Sequence, residues 1–258
     1  MTSSLTVKNV TLKFGGLTAV NDLSFAISPG SISSIIGPNG AGKTSVFNMI
    51  TGFYRPTAGQ IILEGNQLVG KKPSQITQLG MARTFQNLRL FPNLTVLDNV
   101  KSGMHSRTSQ TIWGALWQTR AQRREEQLIE DTSRDCLRFV GMEDSCWRIA
   151  KNLPYGAQRY LEIARALATK PRVLLLDEPA AGLNYEEKED LIALIKRIRT
   201  HYELTVLIIE HDMGLIKKIS EKVIVLDYGQ KIAEGTPEDV LSNPRVVEAY
   251  LGKEEEAI

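Results

Sequence analysis

Two kinds of apolar pattern run along the chain. Leu5 to Lys13 and Asp22 to Ile27 alternate apolar and polar residues, the period of half-buried strands, with Gly15-Gly16 as the turn between them. Short apolar runs form the second kind. Ile32 to Ile36 stops at Gly37, Val173 to Leu176 places four apolar residues in a row, and Thr205 to Ile209 repeats the theme. Runs of this length suit parallel strands buried on both faces. Gly59 to Leu63, Met81 to Phe85, Val223 to Asp227 and Lys231 to Glu234 add further strands. Helices are predicted over Ser45 to Thr51, ended by Gly52 and Pro56, over Glu186 to Arg199, and along the amphipathic segment Pro237 to Leu251. Between these lies a different composition. Leu94 to Ala168 is helix-dominated, with Gly103, Gly141 and Gly156 as breaks and tryptophans at Trp113, Trp117 and Trp147. The pattern predicts an α/β core with an inserted helical subdomain and no internal repeat.

Composition narrows the partners. The 258 residues are 42% hydrophobic and 23% charged, the balance of a globular protein with ample core. A net charge of +2, from 31 basic and 29 acidic residues, argues against nucleic acid as a partner. Cys136 and Cys146 match no metal or redox spacing and are expected as unpaired thiols. The start, MTSSLTVKNV, does not read as a signal peptide, and no apolar stretch nears the ~20 residues that span a bilayer. A soluble chain is expected, reaching any membrane through partners. The run Arg120 to Glu130 is expected as a solvated helix face, and the tail Lys253 to Glu256 as frayed.

Ser31 to Thr44, SISSIIGPNGAGKT, carries the candidate chemistry. Gly37, Pro38, Asn39, Gly40, Ala41, Gly42, Lys43 and Thr44 fill the G-x-x-x-x-G-K-[ST] pattern between a strand and a helix, which Ser45 continues. Glycines let backbone N–H groups approach phosphate oxygens, and the helix N-terminus adds unpaired donors. Lys43 can reach the β- and γ-phosphates, and the Thr44 hydroxyl can ligate Mg²⁺. The pattern predicts binding of a nucleoside triphosphate. Asp177 and Glu178 follow an apolar strand, at the edge where open α/β sheets place ligands. Asp177 can hold Mg²⁺ through water, and Glu178 is placed to orient or deprotonate an attacking water. Position alone leaves Phe14 open between core and base-stacking roles. By position alone, Gln86 reads as a surface amide and His211 as a surface or core residue.

Leu153-Pro154-Tyr155-Gly156-Ala157-Gln158-Arg159, followed by a helix LEIARAL, resembles the signature motif of ATP-binding-cassette ATPases, usually L-S-G-G-Q. The resemblance implies roles for the other residues. Phe14 becomes the adenine-stacking aromatic and Gln86 the Q-loop glutamine. Asp177 becomes the magnesium aspartate and Glu178 the catalytic glutamate. Ala181-Gly182-Leu183-Asn184 becomes the D-loop and His211 the switch histidine. ATP and Mg²⁺ are the implied cofactors, the metal held by Thr44, Gln86 and Asp177. It also implies the P-loop NTPase fold: a mostly parallel core sheet, an N-terminal antiparallel β-subdomain and an α-helical subdomain inserted at about 87–168. The domain would span 5–251, with 252–258 a short charged tail. Pro154 stands where the family has serine, Ala157 where it has glutamine, and Asn184 where it has aspartate.

FGGLTAVND, GPNGAGKTSVFNMITGFY, RTFQNLRLFPNLTVLDNV, PYGAQRYLEIARALA and LDEPAAGLN together look like ATP-binding subunits of bacterial branched-chain amino acid importers. That group implies a second cassette subunit, identical or homologous, closing its signature over ATP. It further implies two integral membrane permease subunits whose coupling helices meet Asn87 to Asn99. A periplasmic binding protein would deliver leucine, isoleucine or valine, and the chain would work at the cytoplasmic face of the inner membrane. Cassettes for lipopolysaccharide export or for urea or amide import look alike and remain alternatives. Soluble cassettes acting on DNA or ribosomes carry tandem cassettes, coiled-coil insertions or basic patches, which do not stand out here.

Overall fold

The computed structural model describes residues 3–104 and 120–251. Trp113, Trp117 and the tail from Lys253 to Glu256 lie outside the described residues. In chain order the strands are β1 (Leu5–Phe14), β2 (Leu17–Ile27), β3 (Ile32–Ile36), β4 (Ala58–Leu63), β5 (Asn66–Gln67), β6 (Met81–Arg83), β7 (Val173–Asp177), β8 (Thr205–Ile209), β9 (Lys222–Asp227) and β10 (Gln230–Gly235). The helices are α1 (Lys43–Ile50), α2 (Pro73–Gln78), α3 (Val96–Met104), α4 (Arg120–Phe139), α5 (Tyr155–Ala168), α6 (Tyr185–His201), α7 (Met213–Ile219), α8 (Pro237–Leu241) and α9 (Pro244–Leu251). They fall into two units. One combines the chain up to Arg83 with the chain from Arg172 onward, and the other is 84–171.

The first unit contains both sheets. An antiparallel sheet runs β2-β1-β4-β5, and a six-stranded sheet runs β10-β9-β3-β8-β7-β6. The neighbours of β3, β7 and β8 are parallel, and only β10 runs against β9. All five residues of β3, of β7 and of β8 are buried, as their apolar runs require. β2 begins five residues before the alternation at Asp22, because Thr18 and Val20 pair across the hairpin with Lys13 and Leu12. β6 is shorter than its apolar run, since only Met81 to Arg83 find partners on β7. One core joins the sheets: Leu5, Leu23 and Ile61 of the antiparallel sheet pack with Phe47 and Ile50 of α1 and with Leu175 and Leu207. The closing amphipathic segment is two helices, since Asn243-Pro244 breaks it; Pro lacks the N–H that α8 would need to continue.

The second unit packs α3, α4 and α5 together. Residues 123–128 of α4 are exposed or half-buried, and Ile129 begins its buried face. Of the three glycines expected as breaks, only Gly141 breaks a helix, at φ +75°. Gly103 lies inside α3, where an added Cβ would come within 2.5 Å of the Arg165 carbonyl oxygen. It serves close helix packing instead. Gly156 lies inside the first turn of α5, which starts at Tyr155 rather than after Arg159. Pro154 precedes it in extended backbone (φ −54°, ψ 153°), a geometry proline favours. Cys136 and Cys146 are both buried and form no disulfide.

Candidate nucleotide site

The loop Gly37 to Gly42 leaves the end of β3 and opens α1. Its shape depends on two glycines. At Gly37 (φ +149°) a Cβ would sit 2.1 Å from the Leu226 carbonyl oxygen, and at Gly42 (φ +97°) 2.8 Å from that of Ala19. No other residue fits either place. The Ala41 N–H donates to the Pro38 carbonyl at 3.1 Å, turning the chain back on itself. Lys43 Nζ folds over the loop and donates to the carbonyls of Gly37 (2.6 Å) and Pro38 (3.0 Å). The first turn of α1 holds no acidic residue, and its N-cap Gly42 supplies no side-chain cap. The turn of Lys43, exposed Thr44 and half-buried Ser45 thus presents backbone donors with the polarity an anion requires, and Asn39 and Gly40 at the loop tip are exposed. The hairpin turn Tyr228-Gly229 braces the loop: Gly229 N–H donates to Ala41 O at 3.0 Å, and Gly229 O accepts from Asn21 N–H at 2.8 Å.

Beside the loop's strand, β7 and β8 end together, Asp177 paired with Ile209. Glu178 turns away in the left-handed region (φ +46°), its N–H donating to Ile209 O at 2.9 Å. That turn brings its Oε2 to 3.8 Å from His211 Nδ1. Glu210 stands behind both. It is buried, its Oε1 accepting from Ala180 N–H (2.8 Å) and its Oε2 from His211 N–H (3.1 Å). Burial pushes the Glu210 carboxyl up, and the two N–H donors pull it part of the way back. Glu210 thereby ties the segment before Ala181 and Gly182 to the backbone of His211. Sequence reasoning assigned Glu210 nothing; its only signal was an acid ending an apolar strand.

Of the remaining D-loop residues, Leu183 is buried and Asn184 caps α6. Its Oδ1 accepts from Glu187 N–H at 3.0 Å, while Glu187 returns a bond to the Asn184 N–H at 2.9 Å. Phe14 ends β1 half-exposed, with the Tyr54 ring edge-on at 5.2 Å. Among the described residues, no group of three or more His, Cys, Asp and Glu could hold a metal alone. One carboxylate and one hydroxyl suit Mg²⁺ that keeps waters and phosphate oxygens as most of its ligands. The residues present fit that ion.

Gln86 and the signature residues belong to the second unit. Gln86 is exposed, and its carbonyl accepts from Arg159 Nη2 at 3.0 Å. Arg159 is fully buried; Nη1 also donates to Phe85 O (2.8 Å) and faces Glu162 Oε2 (3.2 Å), and Nη2 donates to the Tyr155 hydroxyl (3.1 Å). Glu162 Oε1 accepts from the Phe85 N–H at 3.2 Å. Burial pushes the Glu162 carboxyl up, and the Arg159 charge opposes that rise. Leu153 is buried and its carbonyl accepts from Gln158 Nε2 at 3.0 Å; Gly156 and Ala157 are half-buried in the first turn of α5.

A parallel sheet with a glycine loop between strand and helix, and acidic residues where the neighbouring strand ends, defines the class of P-loop nucleotide-binding proteins. Residues 20–181 match the ABC transporter family, and residues 230–256 match the branched-chain amino acid ATP-binding cassette transporter family. The chain is 45% identical over 249 residues to two proteins described as high-affinity branched-chain amino acid transport ATP-binding proteins. These are BraF of Pseudomonas aeruginosa and LivG of Escherichia coli, with 96% of this chain and 98% of each relative covered. The ADP conformation of MJ1267, an ATP-binding cassette of an ABC transporter, superposes with a TM-score of 0.85 at 30% identity, covering 98% of this chain and 100% of that one. The dimeric post-hydrolysis state of the cassette MJ0796 with ADP and Pi gives 0.75 at 25% identity, covering 90% and 98%. The chain therefore belongs to the ABC transporter family, among its ATP-binding cassettes.

Proposed function

We propose that the protein is the ATP-hydrolysing subunit of an importer of branched-chain amino acids. The cargo rests on one observation: likeness to branched-chain amino acid transport ATP-binding proteins over nearly the whole of both chains, continued in the match of residues 230–256. Two cassettes sandwich two ATP molecules, one supplying the phosphate loop and the other the signature from Leu153 to Gln158; the dimeric relative supports the pairing of two cassettes. Two permease subunits carry the amino acid through the inner membrane, with this subunit on its cytoplasmic face. Among the described residues no helix is long and apolar enough to cross a membrane, in keeping with a peripheral subunit.

The chemistry follows from the residues. Phe14 stacks on the base, the loop N–H groups hold phosphate oxygens, and Lys43 leaves its loop carbonyls for the β- and γ-phosphates. Thr44 and Asp177, together with the phosphates, would hold Mg²⁺, which would neutralise charge on the transferred group. Glu178 takes the proton of the attacking water, and His211, within 3.8 Å of it, orients the γ-phosphate end of the site. Pro154 offers no hydroxyl, so the N–H groups at the start of α5 make the trans contact.

The test is uptake of labelled leucine in cells lacking other importers of this class, comparing the wild type, a deletion and Lys43→Ala. Both mutants should lose uptake. Wild-type uptake in the deletion strain would remove the cargo assignment, and wild-type uptake in Lys43→Ala alone would remove the role of the phosphate loop.

A further inference from the structure

Arg83 is the last residue of β6 and pairs with Leu175 on the parallel strand β7. Two residues further along β7, and so on the same face, stands Asp177. The Arg83 guanidinium reaches it: Nη2 donates to Asp177 Oδ2 at 2.7 Å, with the two side chains only 6% and 4% exposed. Nη1 donates to Asn48 Oδ1 (2.8 Å) and Thr51 Oγ1 (3.1 Å), both from the C-terminal end of the α1 segment. Thr51 Oγ1 in turn donates to Phe47 O at 2.6 Å, and the guanidinium lies 5.5 Å from the Phe47 ring centroid. A positive charge is therefore anchored in the helix that follows the phosphate loop and aimed at the carboxylate ending β7. A buried ion pair contributes little stability over an apolar pair of the same shape, whereas one of its charges left alone is costly.

We propose that Arg83 is the resting counter-ion of Asp177, positioning and neutralising its carboxylate until a nucleotide brings the divalent cation. The proposal rests on the reading of Asp177 as the magnesium aspartate. With Oδ2 engaged by Arg83, the carboxylate meets the metal with reduced charge. A free cation gains little there, and the ATP phosphates supply most of the attraction. The order of events follows: cation and nucleotide enter together.

The experiment uses the full chain without nucleotide and reads thermal unfolding and Mn²⁺ binding, in chelator and in millimolar Mg²⁺ or Mn²⁺. The wild type and Arg83→Lys, which keeps the charge, should show less than about 1 °C of cation response. Arg83→Gln takes that positive charge away from Asp177; its Tm should fall by about 4 °C or more in chelator and recover at least half of that with cation. Its Mn²⁺ affinity should exceed the wild type's by about tenfold or more. In Arg83→Gln/Asp177→Asn the cation response should vanish. A response in Arg83→Gln no greater than in the wild type overturns the proposal. Should Arg83→Gln not fold, the double variant decides: recovered folding supports a counter-ion, and continued failure overturns it in favour of packing against Asn48 and Thr51. A separate arm tests the underlying reading. If Asp177→Asn keeps the wild-type ratio of ATP affinities with and without Mg²⁺, the metal role of Asp177 falls, whatever Arg83 does.

Discussion

The phosphate loop and the Glu178 turn of the first unit, and the Gln86 segment of the second, are held by opposite means. In the first, backbone geometry does the holding: Gly37 and Gly42 in conformations that bar a side chain, Glu178 in a left-handed turn, strand ends set by register. In the second, a buried side-chain pair does it. Arg159 and Glu162, on one face of α5, grip both carbonyl and N–H groups of the segment around Phe85 and Gln86. A backbone-built site is fixed by a few glycines and tolerates change around them. A site built on a buried charge pair fails when either partner is removed, because the survivor has no solvent to turn to.

The largest effect that separates the two designs is expected at Arg159→Ala. Removing one partner of a fully buried pair should cost about 3–5 kcal/mol, read as a lowered denaturant midpoint. A loss under about 1 kcal/mol would mean the pair does not hold the segment. Next is Glu178→Gln, which should leave stability and ATP affinity in place while slowing hydrolysis on the order of 10²-fold. Near wild-type turnover would take the base role from Glu178. The smallest effect is expected at Pro154→Ser. Serine at the N-cap of α5 can bond a free N–H of its first turn, so stability should rise by up to about 1 kcal/mol with hydrolysis unchanged. Lost activity there would show that the proline's fixed φ, and not the backbone donors, shapes the signature.

The same contrast explains what the sequence made legible. β3 and β8 are placed to the residue, because buried five-residue runs between turn signals have one reading. The phosphate loop is equally plain, since its glycines are the mechanism. Arg159 and Glu162 read locally as an ordinary i,i+3 helix pair: the partners that give them meaning are carbonyl and N–H groups more than 70 residues away. Glu210 and Arg83 are hidden for the same reason, each a charged residue at a strand end whose meaning comes from the strand beside it. Gly103 and Gly156 misled because glycine also permits close packing and sits without strain in a first helical turn.

The Tyr228-Gly229 turn has a consequence in time. β3, which delivers the phosphate loop, lies between β8 and β9, and the loop's Ala41 carbonyl waits for the Gly229 N–H. A chain leaving the ribosome makes its loop sequence early but completes the cradle only once β9 and Gly229 have followed it. Pairings so distant along the chain form slowly, since the intervening segment must first be ordered. The nascent subunit should therefore stay blind to ATP until β9 and the Tyr228-Gly229 turn arrive, so that a half-made cassette burns no fuel.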